Sequence, residues 1–574
     1  MGIKKIKNII LGIAAFNHDA SACIIKDDEL IAFSEEERFN LNKHTADFPH
    51  GSINYCLDKA GLTINDVSDV AFYFNPSRCI ANYFKINNPI FWCIDPSVLI
   101  RKRFYYEGIW LLNFINKVNS IKRLLNNKNI KISFINHHLA HVWYGYYSSG
   151  FGDCTVLSND SIGEDVSSLA MRFRHGKRIK TSKVISQNDP HSLGYLYGAV
   201  TEFLGYKRGE GEGKVMAMAS FGTDKYLDYL NGSIKLLPGG KFIIGNKIIS
   251  RRTFQPKGRR LSMLFFKKFG KPRSKNEKNS QHHFDIAYSL QKITEKIVMH
   301  QINSINDKNI VLTGGVAQNS VLNGIISNYF SKKNIFVPPI PNDAGCSIGA
   351  AVNLNYLKYN KIPNKVDTAF LGSRFSDSEI INILKNNKIQ YKIINEYINL
   401  LVSLLTEDKI IAIFRENMEC GPRALGNRTI LASPINPKTA NYLNSNVKYR
   451  EYFRPYGGFL LKKYVKEIFK YNNENISGPY MSFVYEVKKE WIKKIPSLVH
   501  VDQTSRVQII EQSDNFLSNL LEAFNARTGV PILINTSFNT SGFPIARTPQ
   551  DAISAFYGSA IDYLLFNDKI LLTK

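Results

Sequence analysis

The chain has 574 residues, with 74 Lys+Arg against 48 Asp+Glu, a formal charge of +26, and 44% hydrophobic and 12% aromatic residues. That length suits two to four domains of about 100–200 residues, and the hydrophobic fraction excludes whole-chain disorder or collagen-like order. No run reaches the ~20 apolar residues that span a bilayer; the most apolar stretch, 89–100, is broken by Asp95 and Pro96.

At the N-terminus, Lys4, Lys5 and Lys7 precede an apolar segment as in a secretory leader. The segment is short, however, and Asn17, His18 and Asp19 stand where small cleavage-site residues belong, so a first β-strand is expected. Ile6 in place of Ser or Thr breaks the myristoylation pattern that Gly2 would need. Strands are predicted over 9–16 and 22–33, joined by the polar turn Asn17-His18-Asp19-Ala20-Ser21, which can offer N–H groups and short side chains to phosphate. A helix over 50–62 ends at Gly61 as C-cap. Strands follow at 70–74 and 130–135, a helix begins near Asn136, and 155–158 is another strand. Residues 287–305 have helical periodicity, and 310–313 form a strand running into Gly314-Gly315. Residues 354–378 read as a connector, with a boundary near 365 (1–364 and 365–574). A second unit has strands near 410–414, 457–462, 481–487, 505–511 and 531–534. Alternating strands and helices indicate a mixed α/β architecture.

The positive charge is concentrated. Residues 229–276 hold no acid but thirteen lysines and arginines, among them Lys235, Arg251, Arg260, Lys267 and Arg273, and 101–131 contain eight against Glu107 alone. No nucleic-acid motif accompanies either cluster. A solvated basic face and an anion-binding surface both remain open. The seven cysteines (23, 56, 79, 93, 154, 346, 420) are dispersed without C-x-x-C spacing, which argues against a disulfide framework and for a reducing, cytoplasmic location.

Three constellations carry chemistry. In Asn136-His137-His138-Leu139-Ala140-His141, residues four apart on a helix share a face, so His137 and His141 can aim at one ion. His138 replaces the glutamate of a zinc protease. Asp160 and Asp343, at strand-to-loop junctions, can add carboxylates or serve as turn residues. Glycines form the second group. Gly209-Glu210-Gly211-Glu212-Gly213-Lys214 precedes an apolar run, and Gly314-Gly315-Val316-Ala317-Gln318-Asn319 links a strand to a helix, an arrangement suited to anions. A P-loop fits badly, since Val215 follows Lys214. With the first hairpin, these glycines suggest an ATP-binding fold of the actin and sugar-kinase kind. The third group, in the second unit, comprises Gly421-Pro422-Arg423-Ala424-Leu425-Gly426-Asn427-Arg428, residues 446–455 with Lys448, Arg450 and Arg454, and Asn535-Thr536-Ser537-Phe538-Asn539-Thr540-Ser541. Arginines, lysine and hydroxyls together indicate an oxyanion substrate. There is no G-x-S-x-G nucleophile elbow.

These motifs, in order from Asn17 to Asn539, resemble the O-carbamoyltransferases that include nodulation protein U and the cephamycin and tobramycin carbamoyltransferases. The resemblance implies an actin/sugar-kinase-like N-terminal domain similar to the tRNA threonylcarbamoyl transferase subunit. It implies an α/β C-terminal domain similar to threonylcarbamoyl-adenylate synthase (YrdC-like). In the family, carbamoyl phosphate and ATP (with Mg) give carbamoyl-adenylate in the second domain, and a hydroxyl of the acceptor takes the carbamoyl group in the first.

Carried over by motif, His137, His141, Asp160 and Asp343 would hold a divalent metal, iron(II) by family, with Mn or Zn also suited to the donor set. Arg423, Lys448, Arg454 and Ser537 would bind carbamoyl phosphate. Lys214, Gly314, Gly315, Gln318 and Asn319 would surround the nucleotide. Ser161 replaces a glycine usual in the family, which bears on that loop's conformation. His18, titrating near neutrality when unperturbed, is the candidate base for the acceptor hydroxyl, or else a turn histidine contacting phosphate. Acceptors in the family include antibiotics, lipo-oligosaccharides and other glycans; nucleic acid is not expected as a partner. A tRNA threonylcarbamoyl transferase-like enzyme and a non-catalytic nucleotide-binding scaffold are the alternatives.

Overall fold

The structure, a computed structural model, describes residues 8–86, 100–161, 163–249, 260–471, 478–511 and 515–574. The N-terminal lysines, the apolar run before Ile100, and Arg251, Arg252, Lys257 and Arg259 of the basic stretch lie outside the described residues. So do the side chains of Arg101, Lys102 and Arg103. The chain forms two compact units. The first takes residues up to 36, 44–318 and 341–366; the second takes 37–43, 319–340 and 367–574.

In the first unit, one sheet runs in the order Glu29–Glu35, Ser21–Lys26, Ile9–Ala14, Asp69–Phe72, Lys131–Phe134. Its Ile9–Ala14 strand is buried throughout, as a continuous apolar run between layers should be. The expected strand over 22–33 is divided. Asp27 (φ 50°) and Asp28 (φ 66°) adopt left-handed conformations and form the two-residue hairpin turn between Lys26 and Glu29. A second sheet pairs Asn309–Thr313 parallel to Cys154–Asn159, which runs antiparallel to Val166–Arg174 and on to Lys180–Asn188.

Two helices separate these sheets. Cys346–Tyr359 packs on the first sheet and against His137–Ser149, which in turn packs on the second. The stack is held at unusually short range. A Cβ on Gly349 would lie 1.8 Å from the Ala140 carbonyl oxygen, and one on Gly12 of the first strand 2.1 Å from the Ser347 carbonyl oxygen. The connector expected over 354–378 is shorter than read. Helix Cys346–Tyr359 persists to 359 and stops at Asn360 in left-handed conformation, and Asp377–Asn386 begins with a Ser376/Glu379 capping box. The long helix expected from 287 begins at Gln281, capped by Ser280.

The second unit is built on a mixed ten-stranded sheet. Its central strands include Ile411–Phe414, Arg428–Ala432, Ile532–Ser537, Gly457–Leu461 and Thr504–Ile510. Arg428–Ala432, Tyr563–Phe566 and Ile570–Thr573 join the strands anticipated from sequence. No described helix is long and apolar enough to cross a membrane. The six described cysteines are free and buried.

Gly349→Ala should lower the stability of the protein by about 2–3 kcal/mol, because backbone must move to admit the methyl group. Gly213→Ala, in helix Glu212–Ala219 with nothing within 4 Å of the new Cβ, should raise it by ~0.5–1 kcal/mol. Denaturant unfolding of both variants measures the contrast; shifts of the same sign would contradict the packing account.

Candidate functional site

His137 and His141 stand one turn apart on the His137–Ser149 helix, whose N-cap is Asn136. Asp160 directly follows the Cys154–Asn159 strand, and Asp343 opens the turn leading into Cys346–Tyr359. The four-layer stack brings these elements together, and the four donor atoms lie within 4.8 Å of one another, all buried. His137 Nε2 is 3.1 Å from Asp160 Oδ2 and 3.6 Å from Asp343 Oδ1; His141 Nε2 is 3.9 and 3.3 Å from the same oxygens. Bonds of ~2.1 Å to one ion would set tetrahedral edges of about 3.4 Å, so the spacings bracket what a single cation requires.

Both Asp343 oxygens and His141 Nε2 are buried with no hydrogen-bond partner among the described residues. Buried groups left in this way cost stability unless a ligand satisfies them, so the donor set fits a divalent metal. Burial alone would lower the His137 pKa, but Asp343 and the Asp160 hydrogen bond raise it. Burial alone would raise Asp160, but His137 and His141 hold it well below the usual carboxylate range. His138 takes no part in the donor set: its Nδ1 lies 3.0 Å from Ser158 Oγ. Burial and the two neighbouring imidazoles push its pKa far down, so it is neutral.

Surrounding groups fix these ligands. Glu164 accepts the backbone N–H of His137 at 3.0 Å and of Asn75 at 2.8 Å. Gly315 donates its N–H to Asp160 Oδ1 at 3.0 Å. Gly314 (φ +84°) approaches so closely that a Cβ would lie 2.3 Å from the Asn159 carbonyl oxygen, which explains glycine at that position. Ser161 is held in place of the family's glycine by Arg208, which donates to its Oγ at 2.5 Å, and by the Ser192 hydroxyl, which donates to its carbonyl.

The first turn places His18 at the same centre. Its Nε2 is 3.6 Å from Asp343 Oδ2, and its side chain is 41% exposed. Its Nδ1 lies 3.0 Å from Asp19 Oδ2, while His44 Nδ1 lies 2.6 Å from Asp19 Oδ1. Burial opposes Asp19's charge, but the two imidazoles keep its pKa well below the carboxylate range. An ionised Asp19 only accepts, so both imidazoles carry their proton on Nδ1. Desolvation lowers the His18 pKa, and Asp343 and Asp19 outweigh it, leaving it pushed up to about 10. The Asn17–Ser21 turn contains Asp19 without marking its bridging role, and His44 lies outside every motif.

The residues expected around nucleotide are placed apart by role. Gly314 and Gly315 abut the Cys154–Asn159 strand and Asp160 as above, and Gln318 ends the short turn Gly315–Gln318. Lys214 is half-buried on Glu212–Ala219 with its ammonium 5.3 Å from the Tyr206 ring. Asn319 falls in the second unit, where its side chain caps helix Ser320–Tyr329 by accepting from the Leu322 N–H.

In the second unit the arginine loop is rigidly held. Glu419 Oε1 accepts the N–H groups of Leu425, Asn427 and Arg428 at 2.8, 2.8 and 3.0 Å. Asn535 and Gln508 side chains donate to the carbonyls of Ala424 and Leu425 at 3.0 and 2.9 Å. Arg428 is structural, with its guanidinium 3.6 Å from the Phe414 ring centre. Arg423 has no hydrogen bond or ion pair among the described residues, and desolvation together with Arg454 brings its pKa down to about 10. Lys448 is buried, its Nζ donating to the carbonyls of Ser537 and Asn539 at 2.8 Å each and to Asn539 Oδ1 at 2.5 Å, with Ser537 Oγ at 3.3 Å. Arg454 approaches Glu451 only to 4.0 Å.

Two further arginines belong to this cluster. Arg450 donates to Asn444 Oδ1 at 2.7 Å and lies over the Tyr456 ring. Arg506, on strand Thr504–Ile510, is pushed well below its ordinary pKa by desolvation and by Arg423, Arg450 and Arg454. Its Nε is buried without a hydrogen-bond partner. Nothing in the local sequence marks Arg506; only the pairing of its strand with Gly457–Leu461 brings it here. The long basic stretch mostly shows exposed lysines, including Lys235, Lys241, Lys267 and Lys271. Its described arginines are engaged: Arg260 pairs with Glu202 at 3.0 Å, and Arg273 is buried against the Leu204 carbonyl.

Comparison with known proteins accords with this geometry. The family described as Carbamoyltransferase N-terminus matches residues 9–352, and that described as Carbamoyltransferase C-terminus matches 402–574. An uncharacterised Synechocystis protein is 32% identical over 98% of this chain and 96% of its own. Nodulation protein NolNO of Sinorhizobium fredii is 30% identical over 99% of this chain and 81% of its own. Nodulation protein U of Rhizobium tropici is 31% identical over 51% of this chain and 48% of its own. With both halves matched and relatives aligned along nearly the whole length, the chain belongs to the carbamoyltransferase family and is a transferase enzyme.

Proposed function

We propose that the protein is an ATP-dependent O-carbamoyltransferase whose second unit forms carbamoyl-adenylate from carbamoyl phosphate and ATP. The first unit, with an actin- and sugar-kinase-like role in nucleotide binding, then passes the carbamoyl group to a hydroxyl of a small molecule or glycan. The observation that carries this reading is the arginine cluster. Arg423 and Arg506 are desolvated among like charges and make no ion pair among the described residues, a state that a bound oxyanion relieves. Carbamoyl phosphate supplies such an anion. The guanidiniums of Arg423, Arg454 and Arg506 would neutralise it, while Lys448 holds the Ser537–Asn539 loop against it.

At the first centre, His137, His141, Asp160 and Asp343 would hold a divalent ion, iron(II) by family resemblance, which when bound offsets phosphate charge as a Lewis acid. His18 does the proton work. With Nδ1–H tied to Asp19, its Nε2 would become the lone pair facing the open edge of the centre once a bound cation offsets the Asp343 charge that otherwise favours the imidazolium. It takes the proton as the acceptor oxygen bonds to the carbamoyl carbon and the bond to the AMP phosphate oxygen breaks. Lys214, Gly314, Gly315, Gln318 and Asn319 are proposed as nucleotide contacts.

Arg506→Met should raise the KM for carbamoyl phosphate roughly 10–100-fold, the weight of one lost charge-assisted contact. Because the folded state depresses the arginine's pKa, its charge destabilises the fold at neutral pH, and the variant should melt no lower than wild type. Inorganic phosphate should raise the melting temperature of wild type more than that of the variant. A variant with unchanged KM would remove Arg506 from the anion site.

His18→Asn should keep carbamoyl-phosphate-dependent pyrophosphate release and lose carbamoyl transfer by about 10²–10⁴-fold. Asp19→Asn should lower kcat with little change in the KM for carbamoyl phosphate, since it acts through His18. Normal product yield from His18→Asn would reject the base assignment.

A further inference from the structure

The imidazoles of His137 and His141 belong to two donor sets. One includes Asp160 and Asp343. In the other, Cys346 Sγ lies within 4.8 Å of a ring nitrogen of each histidine. Cys346 is fully buried and is the first residue of the Cys346–Tyr359 helix, three positions after Asp343. Its thiol therefore approaches the centre from the side of the helix layer; burial and the Asp343 and Asp160 carboxylates disfavour the free thiolate, so loss of its proton accompanies cation binding. The other described cysteines (23, 56, 79, 154 and 420) join no such donor group. A second observation points to a ligand here: His141, itself wholly buried, leaves Nε2 without a hydrogen-bond partner.

Donors trans across an ion with bonds of ~2.1 Å to nitrogen and ~2.3 Å to sulfur stand about 4.4 Å apart, and tetrahedral ones closer. Separations of up to 4.8 Å are thus close to those of donors that share one ion. Carboxylates suit hard ions, whereas a thiolate selects zinc-like and softer ones. Resting on the reading of this centre as a metal site, we infer that Cys346 is a direct ligand for thiophilic divalent ions. His137, His141 and Cys346 then form a soft coordination set superposed on the carboxylate set. On binding, the Sγ–H bond breaks, its proton leaves to solvent, and the sulfur lone pair bonds to the ion. The identity of the bound metal would then decide whether the Cys346–Tyr359 helix is tied directly to the His137–Ser149 helix.

The test is spectroscopic and independent of turnover. Chelator-stripped full-length protein is titrated with Co(II). Wild type should show visible d–d bands together with a near-ultraviolet sulfur-to-cobalt charge-transfer band. Cys346→Ser and Cys346→Ala should keep the d–d bands and lose the charge-transfer band, and His141→Ala should lose both. Cd(II) affinity should fall about tenfold or more in the two Cys346 variants, at least the effect an outer partner of a metal ligand has. Visible bands without charge transfer in wild type, or charge transfer that survives in the Cys346 variants, would overturn the assignment of sulfur while leaving the imidazole–carboxylate centre standing. Absence of both bands from wild type would overturn the centre as well. A wild-type carbamoyl-transfer assay with the native metal separates either result from failure of the proposed reaction.

Discussion

The first unit depends on how closely two helices can cross between two sheets. Gly349 meets the Ala140 carbonyl, and Gly12 meets the Ser347 carbonyl, at distances no Cβ would permit. This contact brings Asp343, at the start of one helix, to within 3.3 Å of His141 on the other. A wider crossing would separate the aspartate from both imidazoles by as much as the helices moved apart, because packed interiors transmit displacement rather than absorb it. The same stack sets Asp160 at the end of the neighbouring strand, where the Gly315 N–H holds its carboxylate while Glu164 anchors the backbone of His137. Packing thus comes before chemistry: the carboxylates and imidazoles share a centre because small residues let backbone touch backbone.

The two units carry complementary deficits. The first gathers buried carboxylate oxygens that have imidazoles near them but incomplete hydrogen bonding. The second gathers guanidiniums whose neighbours are other cations. Either arrangement is unfavourable in an empty interior and is stabilised by a ligand of opposite sign. Under the proposed reaction, a labile anhydride formed from an anionic donor would call for both functions: cations to neutralise phosphate while it is activated, and a shielded centre at which a hydroxyl could be deprotonated. Proteins retain such locally unfavourable clusters where function requires them and offset them elsewhere in the fold.

Much of this was legible in the chain because the signals were local. The His137/His141 spacing needs only one helix, and the Gly61 cap and the apolar 9–14 run needed only their neighbours. Signals that depend on conformation were harder to read. Asp27-Asp28 divides an apparently continuous strand because two aspartates take left-handed conformations, which no apolar pattern marks. The helix through Tyr359 is hidden in the sequence because Lys358, Asn360, Lys361, Pro363 and Asn364 dominate the local composition and suggest a connector. Residues contributed by tertiary pairing were invisible in principle. Arg506 reaches the arginines through strand register, and His44 reaches Asp19 through a hydrogen bond across twenty-five positions. That residues 37–43 and 319–340 pack with the second unit is likewise a property of contacts rather than of order along the chain.

The geometry also divides labour within the cation cluster in a way that residue type cannot. By residue type lysine and arginine are alike as anion ligands, yet an ammonium has only three protons, and Lys448 Nζ already faces four oxygen acceptors from Ser537 and Asn539. To reach a phosphate it must release one of them. Its resting role is to hold the Ser537–Asn539 loop; burial and the neighbouring Arg450, Lys43 and Arg454 push its pKa well down, so its charge would be favoured only beside a bound anion. The arginines differ: each guanidinium presents five N–H donors in a fixed plane, and those of Arg423 bond to none of the described residues. In the proposed reading, directional recognition of a tetrahedral oxyanion would fall to Arg423, Arg454 and Arg506, with electrostatic attraction shared by the whole cluster. Lys448 acts first on the shape of the pocket and only then on what enters it.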